Sequence, residues 1–197
     1  MDSLIHIIQS AGYWGYAILF IIIFLESFPP TFFLPGDSLL LTTGFLASQG
    51  YFSLPLLIVS LFLGSVIGYA FSYKMGKKLR KMILSKGDTF WFKRKHIEYT
   101  ENFFLKYGAK TIIIGRFVAV VRSFGPTLAG AVEMPYYKFT RYSVLGGLFW
   151  TASLTSITFY LGKIFPNANV NLTPIIMAII VVSLIPAFVE YLKSRSK

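Results

Sequence analysis

Apolar residues in this chain run in blocks rather than alternating with polar ones, and the blocks are of two kinds. Three are long and scarcely interrupted, at 53–72, 139–161 and 172–192. Each supplies the ~20 apolar residues with which a helix crosses a bilayer core, so each predicts a membrane span. A fourth begins near Tyr13 and passes through Ile18, Phe20, Ile22 and Leu25, then meets Glu26, Pro29 and Pro30. It predicts a helix that ends near the interface.

Two more apolar stretches are broken from within. The one over 31–47 carries Pro35, Gly36 and Asp37, and the one over 111–132 carries Arg116, Arg122, Gly125 and Pro126. Irregular backbone at membrane depth survives only where protein or a watery cavity satisfies its polar groups. These stretches therefore predict re-entrant hairpins, at about 29–50 and 109–133. Gly36 on one side and Gly125 with Pro126 on the other would supply unwound backbone and helix N-termini, which favour anions. Between the hairpins, 74–110 reads as a basic loop with amphipathic character, carrying Lys77, Lys78, Arg80, Lys81, Lys86, Lys93, Arg94 and Lys95. Positive charge marks the cytoplasmic side, so this loop and both termini are expected inside. The hairpins then enter from opposite faces. The fold expected is one all-α integral membrane domain over 1–197, with about four transmembrane helices and two oppositely oriented hairpins in an inverted repeat. Interrupted segments at matching places in inverted halves point to a transporter binding site.

Composition sharpens this. The 197 residues are 55% hydrophobic and only 14% charged, yet carry a formal net charge of +11. The mean hydropathy is +0.63. Lipid is the expected solvent. No Lys or Arg precedes Lys74 and no small-residue cleavage site follows the first apolar run, so a cleaved leader is not expected. Cysteine is absent, which removes disulfides, thiolate metal sites and thiol nucleophiles. His6 and His96, the two histidines, fall outside the apolar blocks, so neither a metal site nor a Ser–His dyad is expected. Ser38 has no histidine nearby and no Gly-x-Ser-x-Gly elbow around it, and reads as a helix cap. Trp91, Phe92, Phe103, Phe104 and Tyr107 interleave the basic loop and suit an anionic lipid surface better than nucleic acid. Gly146 and Gly147 read as close helix packing.

Four charges stand where lipid penalises them: Glu26, Asp37, Arg116 and Arg122. An unpaired charge at the bilayer centre costs at least ~2.5–3.5 kcal/mol. Two acids and two bases sum to zero, so pairing near a hairpin meeting point is the simplest arrangement. Fixed salt bridges are one reading of it. The other is a site in which Arg116 and Arg122 grip an anionic headgroup while Glu26 or Asp37, in low dielectric, carries a proton. Glu133 and Arg141 sit near the expected cytoplasmic interface and are less central.

These residues resemble a known family. Glu26, Pro29, Pro30 and Leu34-Pro35-Gly36-Asp37-Ser38, with Thr43-Gly44 after them, resemble the first motif of the DedA family, also described as the SNARE-associated or VTT-domain superfamily. Gly115-Arg116-Phe117, Arg122-Ser123-Phe124, Leu128-Ala129-Gly130, Met134-Pro135, Phe139 and Gly146 to Trp150 resemble its second. Two departures stand out. Tyr69 occupies a position where an Asp or Asn commonly follows a glycine, and Ala119 stands where the family tends to place a proline, so the inner hairpin is expected to bend mainly at Gly125-Pro126. The resemblance implies lipid movement across membranes, with dependence on the proton motive force. It also implies that Glu26 and Asp37 bind protons and that Arg116 and Arg122 are essential.

The function expected is a non-enzymatic lipid translocase of the cytoplasmic membrane moving undecaprenyl phosphate, coupled to protons or sodium, with no metal and no cofactor. A phosphatidylethanolamine flippase or a phospholipid scramblase is the nearest alternative, followed by a proton-coupled small-ion carrier. An intramembrane lipid-phosphate hydrolase lacks a nucleophile and metal set. Membrane lipids and the coupling ion are the expected partners, nucleic acid is not, and a homo-oligomer is allowed.

Overall fold

The computed structural model describes residues 12–29, 36–86, 104 and 108–164. The final span at 172–192, the loop over 87–103 and the head of the first interrupted segment at 30–35 lie outside the described residues. Within them the chain is helical and contains no strand. The elements are α1 (Tyr13–Glu26), α2 (Gly36–Ser48), α3 (Leu54–Lys86), α4 (Thr111–Ile114), a 3₁₀ turn (Gly115–Phe117), α5 (Ala119–Ala131) and α6 (Tyr136–Ile164).

Among the described residues two helices are long and apolar enough to cross a membrane, over Leu54–Met82 and Tyr136–Ile164. Both outrun their sequence expectation. The apolar pattern places one span at 53–72 with a loop from 74, but α3 continues as helix to Lys86. Its 33 residues extend about 50 Å at 1.5 Å per residue, beyond a ~30 Å hydrocarbon core. The stretch from Lys77 to Met82 is built of good helix formers, so nothing in it stops the helix where the apolar residues end. In α6 the helix begins at Tyr136, directly after Pro135, rather than at 139. Proline's fixed φ pre-organises a helix start, and the Phe139 N–H already bonds the Pro135 carbonyl at 3.0 Å. By contrast α1, at 14 residues, reaches only about 21 Å.

Burial on the long helices is inverted relative to a water-soluble protein. On α3 the large apolar residues Leu56, Val59, Leu63, Ile67 and Phe71 are exposed at helical spacing, while Gly64, Ser65, Gly68 and Ser72 are buried. On α6 Leu145, Leu148, Phe149, Ile157, Tyr160 and Leu161 are exposed, while Ser143, Gly146, Gly147, Thr151 and Thr155 are buried. Lipid is as apolar as leucine, so membrane helices turn small and polar residues toward each other and bulky ones outward.

The described chain forms two compact units. The first takes residues 12–23, 36–65 and 148–164, around a core of Leu19, Ile23, Leu40, Leu57, Leu61 and Trp150. In it α2 closes on α6: a Cβ at Gly44 would collide with Thr158 and the Thr155 carbonyl, and one at Gly162 with Ser48. The second unit takes 24–29, 66–86, 104 and 108–147, around Tyr69, Tyr73, Ile112, Ala129, Met134 and Phe139. In it α5 closes on α3 in the same way. A Cβ at Gly76 would strike the Thr127 carbonyl oxygen, and one at Gly130 the Tyr73 carbonyl oxygen. Each unit thus clamps the short helix of one sequence half onto the long helix of the other.

The inner interrupted segment breaks at a place the sequence reading does not choose. Gly125 and Pro126 are expected to be the bend, yet both lie wound and buried inside α5. The break is at Val118, extended at φ −118°, ψ 110°. Upstream, the 3₁₀ turn tightens the chain, and a Cβ at Gly115 would sit 2.6 Å from Val121 Cγ1, so glycine there lets the start of α5 fold back over the turn. Proline at Pro126 costs one hydrogen bond, which a clamped helix tolerates. At its other end α5 stops in a Schellman motif: the Glu133 N–H bonds the Gly130 carbonyl and the Met134 N–H the Ala129 carbonyl. Glu133 accordingly adopts the left-handed region at φ +54°.

Candidate functional site

Glu26 closes α1 and is 2% exposed, with nothing apolar able to satisfy its carboxylate. The partner is Arg122 in the first turn of α5: its Nη2 donates to Glu26 Oε1 in an enclosed ion pair. Hydroxyls pin the end of α1 from both sides, as Ser123 Oγ donates to the Glu26 carbonyl at 3.3 Å and Ser72 Oγ to that of Ser27 at 2.5 Å. These bonds claim carbonyls that a helix C-terminus otherwise leaves open.

Arg116, on the far side of the Val118 break, is 1% exposed and held differently. Its Nη2 donates to the Ser143 carbonyl at 3.0 Å and to Ser143 Oγ at 3.1 Å. The guanidinium carbon lies 3.6 Å from the centre of the Tyr69 ring. Gly146 and Gly147 leave the space it occupies, since a Cβ at either would come within 3.2–3.3 Å of Arg116 Cδ or Nη2. The glycine pair, which reads in sequence as helix packing, is thus also room for a cation. A Cβ at Gly146 would further lie 3.0 Å from the Ile113 Cα, so close backbone approach is part of its role.

Asp37 belongs to the first unit. It sits in the first turn of α2, where the helix dipole favours a carboxylate, and its Oδ1 accepts the Trp150 indole N–H at 3.1 Å. Gly36 is buried as the first residue of that helix. Of the seven residues the sequence selects, the structure joins Glu26 to Arg122 and places Arg116 in the same unit. Gly125 and Pro126 are buried in helix α5 and offer no unwound backbone, because the break lies upstream. The anion-favouring feature of that segment is instead the start of α5, where Val118 makes no side-chain cap to the first-turn amides. Glu133 and Arg141 are exposed, as their interfacial positions suggest.

Tyr69, Ser143, Ser123 and Trp150 are the partners that sequence reasoning does not select. A buried hydroxyl or indole on a spanning helix has to find a partner, but the pattern alone does not say which. Among the described residues no cluster of His, Asp and Glu suits a metal ion. An apolar cleft of about 590 Å³ between α1 and α3, lined by Tyr13, Tyr16, Phe20, Leu56, Val59 and Leu63, contains none of the charged residues.

Comparison with known proteins bears on these features together. The VTT domain family model matches residues 34–160. The chain is 36% identical to Protein DedA of Escherichia coli over 99% of its own length and 93% of the relative's. The chain belongs to the DedA family of VTT-domain membrane proteins. Other members include a membrane protein of Mycobacterium tuberculosis, 36% identical over 91% of this chain and 81% of the relative, and the inner membrane protein YqjA of Escherichia coli, 34% identical over 75% and 68%. No solved structure matches the chain. The family match runs from α2 into α6, and so takes in Asp37, Arg116, Arg122 and the clamping glycines Gly44, Gly76 and Gly130.

Proposed function

We propose that the protein is a translocase for a phosphate-bearing lipid, undecaprenyl phosphate first, in the cytoplasmic membrane, and that a proton travels with the lipid. The observation that carries this reading is the buried Glu26–Arg122 pair at the N-terminal turn of α5, one short break away from Arg116. A guanidinium is a bidentate fork for phosphate as much as for carboxylate. A headgroup phosphate that reaches Arg122 competes with Glu26 for the same N–H groups. In low dielectric a carboxylate displaced from its guanidinium is costly to leave charged, and it takes up a proton. One monoanionic headgroup and one proton enter together, and the charge of the site is unchanged. That balance couples lipid to proton without a further device. Arg116 and the uncapped first-turn amides of α5 supply the remaining donors.

The reading is supported further by the repeated construction, in which each unit clamps a short helix onto a long one. The test is transport by the purified protein in liposomes, comparing undecaprenyl phosphate with phosphatidylethanolamine, with and without a pH gradient. Faster movement of the polyprenyl phosphate under a gradient supports the proposal. Equal movement of both lipids without one identifies a scramblase instead, and ion flux without added lipid identifies an ion carrier.

A further inference from the structure

A guanidinium that is to meet a phosphate as a two-toothed fork has to present a particular plane and a particular edge. In Arg116 both are fixed. Ser143 takes Nη2 through its carbonyl and its hydroxyl, and the Tyr69 ring lies beneath the guanidinium at 3.6 Å. Gly146 and Gly147 line the side chain along α6. Tyr69 is itself held: it is 2% exposed and stacked on Phe139 at 6.4 Å with the rings 21° apart, and Phe139 in turn stacks on Tyr73 at 4.7 Å. The ring has no room to swing away. An aromatic face attracts a cation through its quadrupole and contributes no negative charge. It steadies the guanidinium without cancelling its attraction for an anion, unlike the carboxylate that holds Arg122.

We infer that Tyr69 is a positioning residue for anion binding: its ring sets the plane in which Arg116 receives the headgroup phosphate, and so sets the affinity for that headgroup. This rests on the anion-site reading above. The interaction is with the ring face, so the ring rather than the phenol oxygen carries the positioning, and the effect falls on binding more than on the maximal rate.

The experiment measures initial rates of undecaprenyl phosphate transport against its concentration in liposomes containing the full chain, with thermal unfolding in detergent as the check on folding. Tyr69→Phe is expected to match the unaltered protein. Tyr69→Leu and Tyr69→Met, which keep volume but lose the ring, are expected to raise the half-saturating concentration about tenfold with a smaller change in maximal rate. If the unaltered protein transports the lipid and Tyr69→Leu shares its half-saturating concentration, the positioning role is wrong and the anion site stands. A Tyr69→Phe variant as impaired as Tyr69→Leu overturns it too, by making the hydroxyl the working group. If both ringless variants fail to fold, the ring is a packing element and the inference falls. Absence of any phosphate-lipid transport by the unaltered protein removes the anion site and this inference with it.

Discussion

A carboxylate and a guanidinium enclosed together, at 3% and 4% side-chain exposure, are far more costly apart than together. Arg122→Ala is therefore expected to lower stability by about 3–5 kcal/mol, measured by unfolding in detergent, because it leaves the Glu26 charge buried without its guanidinium. Adding Glu26→Gln to that variant is expected to recover much of the loss while transport stays absent. If the double variant is no more stable than Arg122→Ala, the penalty is not that of an orphaned charge. Arg116→Lys tests the other arginine. A lysine reaches Ser143 as a point charge but cannot form a fork, so folded protein and lost transport are expected, and full activity would exclude bidentate capture. The charges themselves were legible in the sequence because ionisable groups in apolar runs need a reason. Their partners were less so. Glu26 meets Arg122 across nearly a hundred residues of chain, and Tyr69 meets Arg116 through a packing that no local spacing encodes.

The elements follow from apolar blocks where lipid dictates them, and depart from the blocks where backbone geometry does. Helix α3 ignores the end of its apolar run at Ser72 because a charged helix needs no lipid once it leaves the bilayer. The bend falls at Val118 because glycine at Gly115 permits a close return, whereas Gly125 and Pro126 sit in a helix already clamped by its neighbours. Proline and glycine mark where a chain is able to bend, and tertiary packing selects among them. This gives a pair of contrasting expectations. A Cβ at Gly125 meets only Val121 Cγ1 at 3.9 Å, so Gly125→Ala is expected to be folded and more stable by up to about 1 kcal/mol, from helix propensity. At Gly130 the same methyl enters the Tyr73 carbonyl, and Gly130→Ala is expected to lose monodisperse protein on gel filtration. Were Gly125→Ala the disruptive one, the segment would bend at the glycine after all.

At the scale of the whole molecule, two broken apolar stretches, each beside a long one, predict an inverted repeat. What sequence did not reveal is that α2 packs on α6 and α5 on α3, so that neither half builds a unit by itself. Such an exchange is natural if the two halves cross the membrane with opposite sense, since each short helix then finds a groove only on the other half's long helix. The opposite sense is open to a direct test, because the chain contains no cysteine and single cysteines can be introduced one at a time. Gln49 and Lys78 are both exposed, and the helical rise from Leu54 to Lys78 is about 36 Å, enough to cross a ~30 Å core. Glu133, just before α6, and Lys163, in its last turn, are exposed in the same way. Positive charge marks the cytoplasmic side, so the basic end of α3 is expected inside, and an impermeant thiol reagent added to intact cells is then expected to modify Gln49→Cys and Lys163→Cys. Lys78→Cys and Glu133→Cys are expected to react only after permeabilisation. Modification of Gln49→Cys and Lys78→Cys from the same side would mean that α3 does not span, and with it the inverted arrangement and the paired entry of lipid and proton would lose their basis.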